Sequence, residues 1–342
     1  MTLTPITVQI RGHSVAPVDG DQDGYESGML AVVIDAFKQP GSIREMPDPQ
    51  VEPGTVLVRV TVAGINPIDW KVRAGQAGGR RFPLVLGQDF AGIVERTGDG
   101  VTRVAEGDRV FGCARAHGSY AEKTLIQEND HSSPFARLPE GISDATAAAL
   151  PTPCLTALGS LDVLGIGVSS EILVVGAAGS VGSAAVQIAR ARGARVTAVV
   201  KPGQAADVRG FGAQNVVEAD GDFTELVRRE HPDPFGTVLD LVSSGDALKA
   251  HFPLYAPGGK IVTTIHVADE TWFSERGIEA INVAMSGTDA SSPQGLQTIA
   301  RLVLEGTLRV QNAGEWPLKE APAVLDRVQS GELRGKVVLR VR

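Results

Sequence analysis

Gly176, Gly179 and Gly182 stand between an apolar run and a helix pattern rich in small residues, a spacing suited to holding a pyrophosphate. The run at 172–175 reads as a buried strand, and Ala184, Ala185, Val186, Ile188 and Ala189 continue as a helix. A turn of this kind lets backbone approach a pyrophosphate closely, and the helix after it offers free N–H groups and the positive end of its dipole. The dinucleotide fingerprint has three glycines, G-x-G-x-x-G. Here it reads A-x-G-x-V-G: Ala177 takes the first glycine position, and Gly179, Ser180, Val181 and Gly182 complete the cradle. A second strand is expected at 195–200, which strengthens the dinucleotide reading over an ordinary strand-turn-helix. NAD-binding folds place a carboxylate at the end of that strand for the ribose 2′-OH. Here the position is Val200, followed by Lys201, and no acid occurs before Asp207. Loss of the acid removes repulsion of a 2′-phosphate and Lys201 supplies a counter-charge, so the expected cofactor is NADPH. The alternative for Lys201 is a solvated cation in the turn before Pro202 and Gly203. Arg209 assists if its helix turns the right way.

Metal chemistry is not expected. Two cysteines, Cys113 and Cys154, cannot make a disulfide framework or a multi-cysteine zinc site. The six histidines, His13, His117, His131, His231, His251 and His266, show no ligand spacing. His117 is either a cleft residue or a surface-loop histidine. A net charge of −8 argues against nucleic acid as the main partner. No apolar run approaches the ~20 residues of a transmembrane helix, so no membrane partner is expected. The first residues lack the basic and continuous apolar regions of a signal peptide. A reduced, cytoplasmic protein is the expectation.

These residues need elements to position them. At 342 residues two domains are the natural expectation. Residues 1–28 are polar and acidic around 20–28 and read as a disordered extension, with Met29 the start of the folded chain. Short Val/Ile-rich strands are expected at 30–35, 55–63, 92–97, 108–112 and 121–126, punctuated by Gly, Pro and Asp, the pattern of an antiparallel, barrel-like β domain. Inside it, 64–71 and 87–92 read as polar loops. A helix begins after Ser143, is interrupted at Pro151 and Pro153, and resumes over 154–164. Strands at 172–175, 195–200, 215–217, 237–241 and 260–265 then alternate with helices at 180–192, 203–210, 222–230 and 245–255, which predicts a parallel sheet. The end breaks that repeat: helix 293–305, strand 308–310, helix 318–330, strand 337–341. It is expected to return and complete the first domain.

From Met29 onward the chain resembles the medium-chain dehydrogenase/reductase superfamily, in its zinc-independent quinone oxidoreductase and enone (enoyl) reductase branch. The motifs are Gly64-Ile-Asn-Pro-Ile-Asp69, Gly87-Gln-Asp-Phe-Ala-Gly-Ile-Val94, Gly107-Asp-Arg-Val-Phe-Gly112 with Gly118-Ser-Tyr-Ala-Glu122, and Ala149-Leu-Pro-Thr-Pro-Cys-Leu-Thr156. Ala177 to Gly182 with Gln187, Asp240, Pro257-Gly-Gly259 and Gly335-Lys-Val-Val-Leu339 complete them, in family order over some 310 residues. The resemblance implies an α/β fold: a GroES-like antiparallel β-barrel catalytic domain, 29–152 and 290–342, split around a doubly wound Rossmann domain, 153–289. It also implies a homodimer, for which a strand near 277–286 could pair across a two-fold axis.

Zinc members of the family carry a Cys, a His-Glu pair and a further Cys or Asp. Here those positions hold Asn66, Gln88-Asp89 and Thr152, and amides and hydroxyls are poor zinc ligands. Without a metal, the natural hydride acceptors are already electrophilic: quinones or α,β-unsaturated carbonyls. By the resemblance Thr156 contacts the nicotinamide ribose or amide, its alternative being a helix hydroxyl that bonds back to the chain, and Lys336 joins the cofactor-binding set. Asn66 and Gln88 are candidate donors to the acceptor oxygen. Asp69 either fixes its loop or acts in the cleft. Lys71 stands where typical quinone reductases have a Tyr, and Trp70-Lys71 looks more like the enone and enoyl reductases. Lys71 could bind a ribose hydroxyl, protonate an enolate, or be a surface cation. The expected 2′-phosphate tyrosine is replaced near Ala219. An enoyl reductase tailoring a biosynthetic intermediate, or a non-catalytic NADPH-binding sensor or structural protein, are the other readings.

Overall fold

The computed structural model describes residues 28–76, 81–114 and 118–341. Residues 1–27 of the expected extension, and His117, lie outside the described residues. Two sheets organise the rest. The first has six parallel strands in the order Asn215–Glu218, Arg195–Val200, Glu171–Val175, Phe235–Asp240, Tyr255–Thr263 and Glu279–Asn282. Parallel sheets are covered on both faces, so their strands read as unbroken apolar runs. In the strand Glu171–Val175, Ile172 and Val174 face one core with the helices Pro151–Val163 and Ser180–Ala191. Leu173 and Val175 face another core, containing Leu248, Tyr255 and Phe273. From this central strand the chain winds first to Arg195–Val200 and later, on the other side, to Phe235–Asp240. The reversal opens a crevice at the carboxyl end of Glu171–Val175, where doubly wound sheets hold ligands.

The second sheet has seven strands. Asn312–Pro317, Lys336–Arg340, Thr55–Ile65, Asp89–Thr97, Arg109–Cys113 and Phe135–Arg137 follow one another, and Lys123–Gln127 pairs with Thr55–Ile65. Register shifts between Leu57 and Val58 and between Val60 and Val62 bend the long strand, as bulges do in closing sheets. A three-stranded sheet, Ser42–Pro47, Gly28–Ile34 and Leu84–Val85, joins through the bridge Ala31–Ala121. Because Lys336–Arg340 pairs antiparallel with residues 62–65, this late strand lies in the same sheet as Thr55–Ile65. The expected α/β pairing of an antiparallel β domain with a parallel sheet is present.

Several elements differ from expectation. The stretch read as a polar loop at 64–71 is largely a helix, Pro67–Arg73, with Asn66 at its N-cap. Pro67 at the first helical position needs no N–H partner, and Asp69 reaches back to the Asn66 backbone N–H at 2.7 Å. At its other end, Arg73 Nη2 pairs with Asp326 at 2.5 Å, pinning the helix to the helix Ala321–Gln329. The segment 87–92 is not all loop, since the strand Asp89–Thr97 starts inside it. The expected break is present, since the helix after Ser143 ends at Ala149 and a second begins at Pro151, but Pro151 and Pro153 belong to the second helix and not to a gap between the two. They form the first turn of Pro151–Val163, where a missing N–H costs nothing. Pro253 shortens the expected helix at 245–255 to Gly245–Ala250 and a 3-10 turn, Phe252–Leu254. The strand expected at 308–310 lies at Asn312–Pro317.

Candidate active site

The glycine turn opens at the crevice. Gly176 adopts φ +81°, the left-handed region that favours glycine. Ala177 therefore needs no such conformation; it is fully buried and packs its methyl into the core. Gly182 has no room for a side chain: a Cβ there would lie 2.3 Å from Gly176 O. Gly179 is different. It is exposed, and a Cβ on it would meet only Gly176 O, at 3.4 Å, so the space before it is free. Ser183 N–H bonds Gly179 O at 2.8 Å, which leaves the N–H groups of Ser180, Val181 and Gly182 as the open donors of the helix. Close backbone approach plus free N–H groups fits a pyrophosphate.

Lys201 is exposed, directly after the strand Arg195–Val200. It forms no ion pair with any described residue. Its backbone N–H donates to Gln204 Oε1 at 3.1 Å. Near Ala219, Glu218 accepts the N–H groups of Gly203, Gln204 and Ala205 at 2.9, 3.1 and 3.0 Å. Those three donors are spent on holding the loop, while the Lys201 ammonium keeps its capacity for a phosphate, as does the exposed Arg209 on the helix Ala205–Gly210.

Asn66, Gln88, Asp89 and Thr152, the positions read above by resemblance as the counterparts of zinc ligands, come together in a polar cluster around the buried Asp89. Asp89 is 0% exposed and Lys336 2% exposed. Lys336 Nζ lies 3.2 Å from Asp89 Oδ2 and also donates to Asn66 Oδ1. Asn66 Nδ2 donates to Asp89 Oδ2 at 2.8 Å. Thr152 donates its hydroxyl to Asp89 Oδ1 at 2.5 Å and its backbone N–H to Asp89 Oδ2 at 3.1 Å. Gln88 Nε2 donates to Thr152 Oγ1 at 3.0 Å, and Thr156 Oγ1 donates to Thr152 O at 2.6 Å. Asn66, Gln88, Thr156 and Lys336 are thus joined in one network. Asn66 is 2% exposed with both ends of its amide engaged, so it orients its neighbours. Cys113 Sγ sits 3.6 Å from Asp89 Oδ1, and burial pushes its thiol well above the usual range. Burial likewise raises the Cys154 thiol to about 12. Both pack as protonated, apolar-like groups.

A second buried pair supports the helix that carries Lys71. Tyr120 OH donates to Asp69 Oδ2 at 2.7 Å. Burial raises the Asp69 carboxyl to about 7, against the lowering pull of the Asn66 N–H and the Tyr120 hydroxyl; the nearby Asp89 charge adds to the rise. Lys71 is half-buried, its Nζ 5.7 Å from the Trp70 ring centroid, and it forms no ion pair with a described residue. Ser180 and Lys336 line one crevice with Ala178, Cys154 and Arg309, which sets the turn beside the polar cluster. Sequence reasoning treated Asp89 and Thr152 only as failed zinc positions and did not weigh Tyr120 as a site residue. Asp89 was the available signal, being the sole carboxylate among those four positions.

Two family models match the chain: Alcohol dehydrogenase GroES-like domain over residues 52–184 and Zinc-binding dehydrogenase over 211–339. A mycocerosic acid synthase-like polyketide synthase of Mycobacterium tuberculosis is 34% identical over 310 residues, covering 84% of this chain and 14% of that protein. A 2-methylene-furan-3-one reductase of Solanum lycopersicum is 33% identical over 210 residues, 58% of this chain and 52% of that protein. The chain therefore spans a small part of the first relative and about half of the second. The quinone oxidoreductase of Rattus norvegicus is 28% identical, with 91% of this chain and 97% of that protein covered. Among solved structures, Escherichia coli quinone oxidoreductase complexed with NADPH shares the fold, with a TM-score of 0.83 at 24% identity over 91% of this chain and all of that one.

Proposed function

Because the chain belongs to the medium-chain dehydrogenase/reductase superfamily, on its quinone oxidoreductase branch, we propose that it reduces quinones or α,β-unsaturated carbonyls with NADPH and without a metal. The observation that carries this reading is the Asp89 cluster beside the open glycine turn. Zinc needs thiolate, imidazole or carboxylate donors. The corresponding positions supply two amides, a hydroxyl and one carboxylate, and that carboxylate is held by Lys336, Asn66 and Thr152. The donor set does not fit zinc, although one matching family model is named for zinc binding. The residues do fit a dinucleotide. We take 153–289 as the cofactor domain and 29–152 with 290–342 as the catalytic domain.

When bound, NADPH supplies a hydride from C4 of its nicotinamide. The chain's own residues bind and orient. Ser180, Val181 and Gly182 offer backbone donors to the phosphates, and Gly179 leaves them reachable. Lys201 pairs with the 2′-phosphate. Thr156 and Gln88, tied through Thr152, form the polar wall that fixes the nicotinamide and the acceptor oxygen. Lys71, on the helix Pro67–Arg73 that Asp69 and Arg73 hold in position, is our candidate for returning a proton to the reduced acceptor. Such positioned proton transfer contributes roughly 10²–10⁴-fold in rate. Two copies pair through the strand Glu279–Asn282, the end strand of the six-stranded sheet, whose outer side pairs with no described strand.

A second reading follows from the polyketide synthase relative, which matches 84% of this chain: an enoyl reductase acting on a biosynthetic intermediate, in keeping with Trp70-Lys71. The test is loss of NADPH absorbance with benzoquinone, phenanthrenequinone and a panel of enones and enoyl thioesters. Turnover of quinones or simple enones supports the first reading. Turnover of enoyl thioesters alone supports the second. NADPH binding with no turnover on any acceptor would leave a sensor or structural protein. Lys201→Asp is expected to raise the KM for NADPH by about tenfold, the value of one charge-assisted contact, and not to raise that for NADH, whose 2′-OH a carboxylate suits. An unchanged KM for NADPH would overturn the 2′-phosphate assignment.

A further inference from the structure

One wall of the crevice beside the turn comes from a segment with no role so far. Residues 308–311 pass along the helix Ser180–Ala191, and Gln187 on that helix, 5% exposed, grips Arg309 by both backbone groups. Gln187 Nε2 donates to Arg309 O at 3.0 Å, and Arg309 N–H donates to Gln187 Oε1 at 2.8 Å. Gln187 Nε2 also donates to Ser183 O at 3.0 Å, so this buried amide, bonded to its own helix and to a residue 122 positions further along the chain, fixes the Arg309 backbone relative to the glycine turn on the same helix. Arg309 lines the crevice with Ala178 and Ser180 of the turn. Its side chain is exposed and forms no ion pair with a described residue, although Asp207 stands on the opposite wall of the adjoining groove. The other cation of the crevice, Lys336, has its ammonium committed to Asp89 and Asn66. Arg309 is thus the positive charge left uncommitted there, in a chain of net charge −8.

We propose that Arg309 binds the pyrophosphate of the dinucleotide, an assignment that rests on the dinucleotide reading above and adds to it a residue from the C-terminal part of the chain. The turn supplies neutral N–H donors; the guanidinium supplies charge and a two-pronged fork suited to phosphate oxygens. The 2′-phosphate belongs to Lys201, across the loop 201–204, none of whose residues lines either groove beside Arg309. The segment 308–311 also leads directly into the strand Asn312–Pro317. Arg309 therefore ties the pyrophosphate to the seven-stranded sheet as well as to the parallel one.

The test is direct titration of NADPH and of NADH, read by nucleotide fluorescence, on the wild-type protein, Arg309→Ala and Arg309→Lys, with unfolding midpoints recorded for each. Arg309→Ala is expected to weaken NADPH and NADH alike by about tenfold, with an unshifted midpoint, and Arg309→Lys to recover part of the loss. Loss confined to NADPH would place Arg309 at the 2′-phosphate and overturn the assignment. Equal affinity of wild type and Arg309→Ala for both nucleotides would make it a surface cation and overturn it too. If the wild type binds neither nucleotide, the dinucleotide reading itself fails, an outcome distinct from failure at Arg309 alone.

Discussion

Asp89→Ala is expected to destabilise the protein by about 3–5 kcal/mol, the cost of leaving one partner of a buried ion pair behind. The Lys336 side chain is 1% exposed and that of Asp89 0%, so water does not replace the lost carboxylate. The Lys336 ammonium would keep only Asn66 Oδ1. The Asn66 amide, which is buried, and the Thr152 hydroxyl and N–H, which are half-buried, would lose their acceptor as well, each at a further desolvation cost. The measurement is urea unfolding of Asp89→Ala, Lys336→Met and the double variant Asp89→Leu/Lys336→Met. Each single change should be costly and the double change much less so, because apolar groups of similar volume replace a buried pair at little net cost. A loss below about 1 kcal/mol in Asp89→Ala would mean that the cluster is hydrated and the pair weak. The double variant keeps the result interpretable if a single variant fails to fold.

The sequence disclosed the two domains' elements through period and punctuation, and the reasons are physical. The apolar run at 172–175 is buried on both faces, so it reads as a strand however its neighbours pack. The glycine turn was legible because each glycine has a local cause: positive φ at Gly176, contact with Gly176 O at Gly182, an open face at Gly179. The Asp89 cluster was not legible. Its members come from residues 66, 88, 89, 152 and 336, and no local pattern reports that a lysine near one end of the chain meets an aspartate 247 positions away. The helix Pro67–Arg73 was hidden because its seven residues are too few for an apolar period, and its stability comes from Arg73–Asp326 and Asp69–Tyr120. The break before Pro151 was legible in the sequence, whereas the place of Pro151 and Pro153 inside the second helix was not. Proline breaks helix interiors and starts helices equally well, and only the observed boundary separates the two. Arg309 has no local signature either; its place is set by Gln187.

The glycine turn yields the second large effect, and its two small-residue positions separate binding from folding. Gly179→Ala is expected to leave the unfolding midpoint unchanged and to weaken NADPH binding by about ten- to a hundredfold, the value of one or two charge-assisted contacts. Gly179 has φ −71° and ψ 168°, ordinary for any residue, and an added methyl meets nothing of the protein closer than Gly176 O at 3.4 Å. The fold therefore tolerates it. On the proposed reading, what the methyl does occupy is the space through which a phosphate would reach the N–H groups of Ser180 and Val181. Gly182→Ala is the contrast. Its methyl would lie 2.3 Å from Gly176 O and 2.7 Å from Ala177 Cα, so the turn must move off the helix. Overpacking of this kind costs about 1–3 kcal/mol, and both stability and binding should fall together. Calorimetric titration with NADPH, paired with thermal unfolding, reads the two effects on the same samples. If Gly179→Ala binds NADPH as the wild type does, the phosphates do not approach through this turn, and the open face at Gly179 has another purpose. If Gly182→Ala alone loses binding, the turn matters through its shape and not through free backbone donors at its mouth.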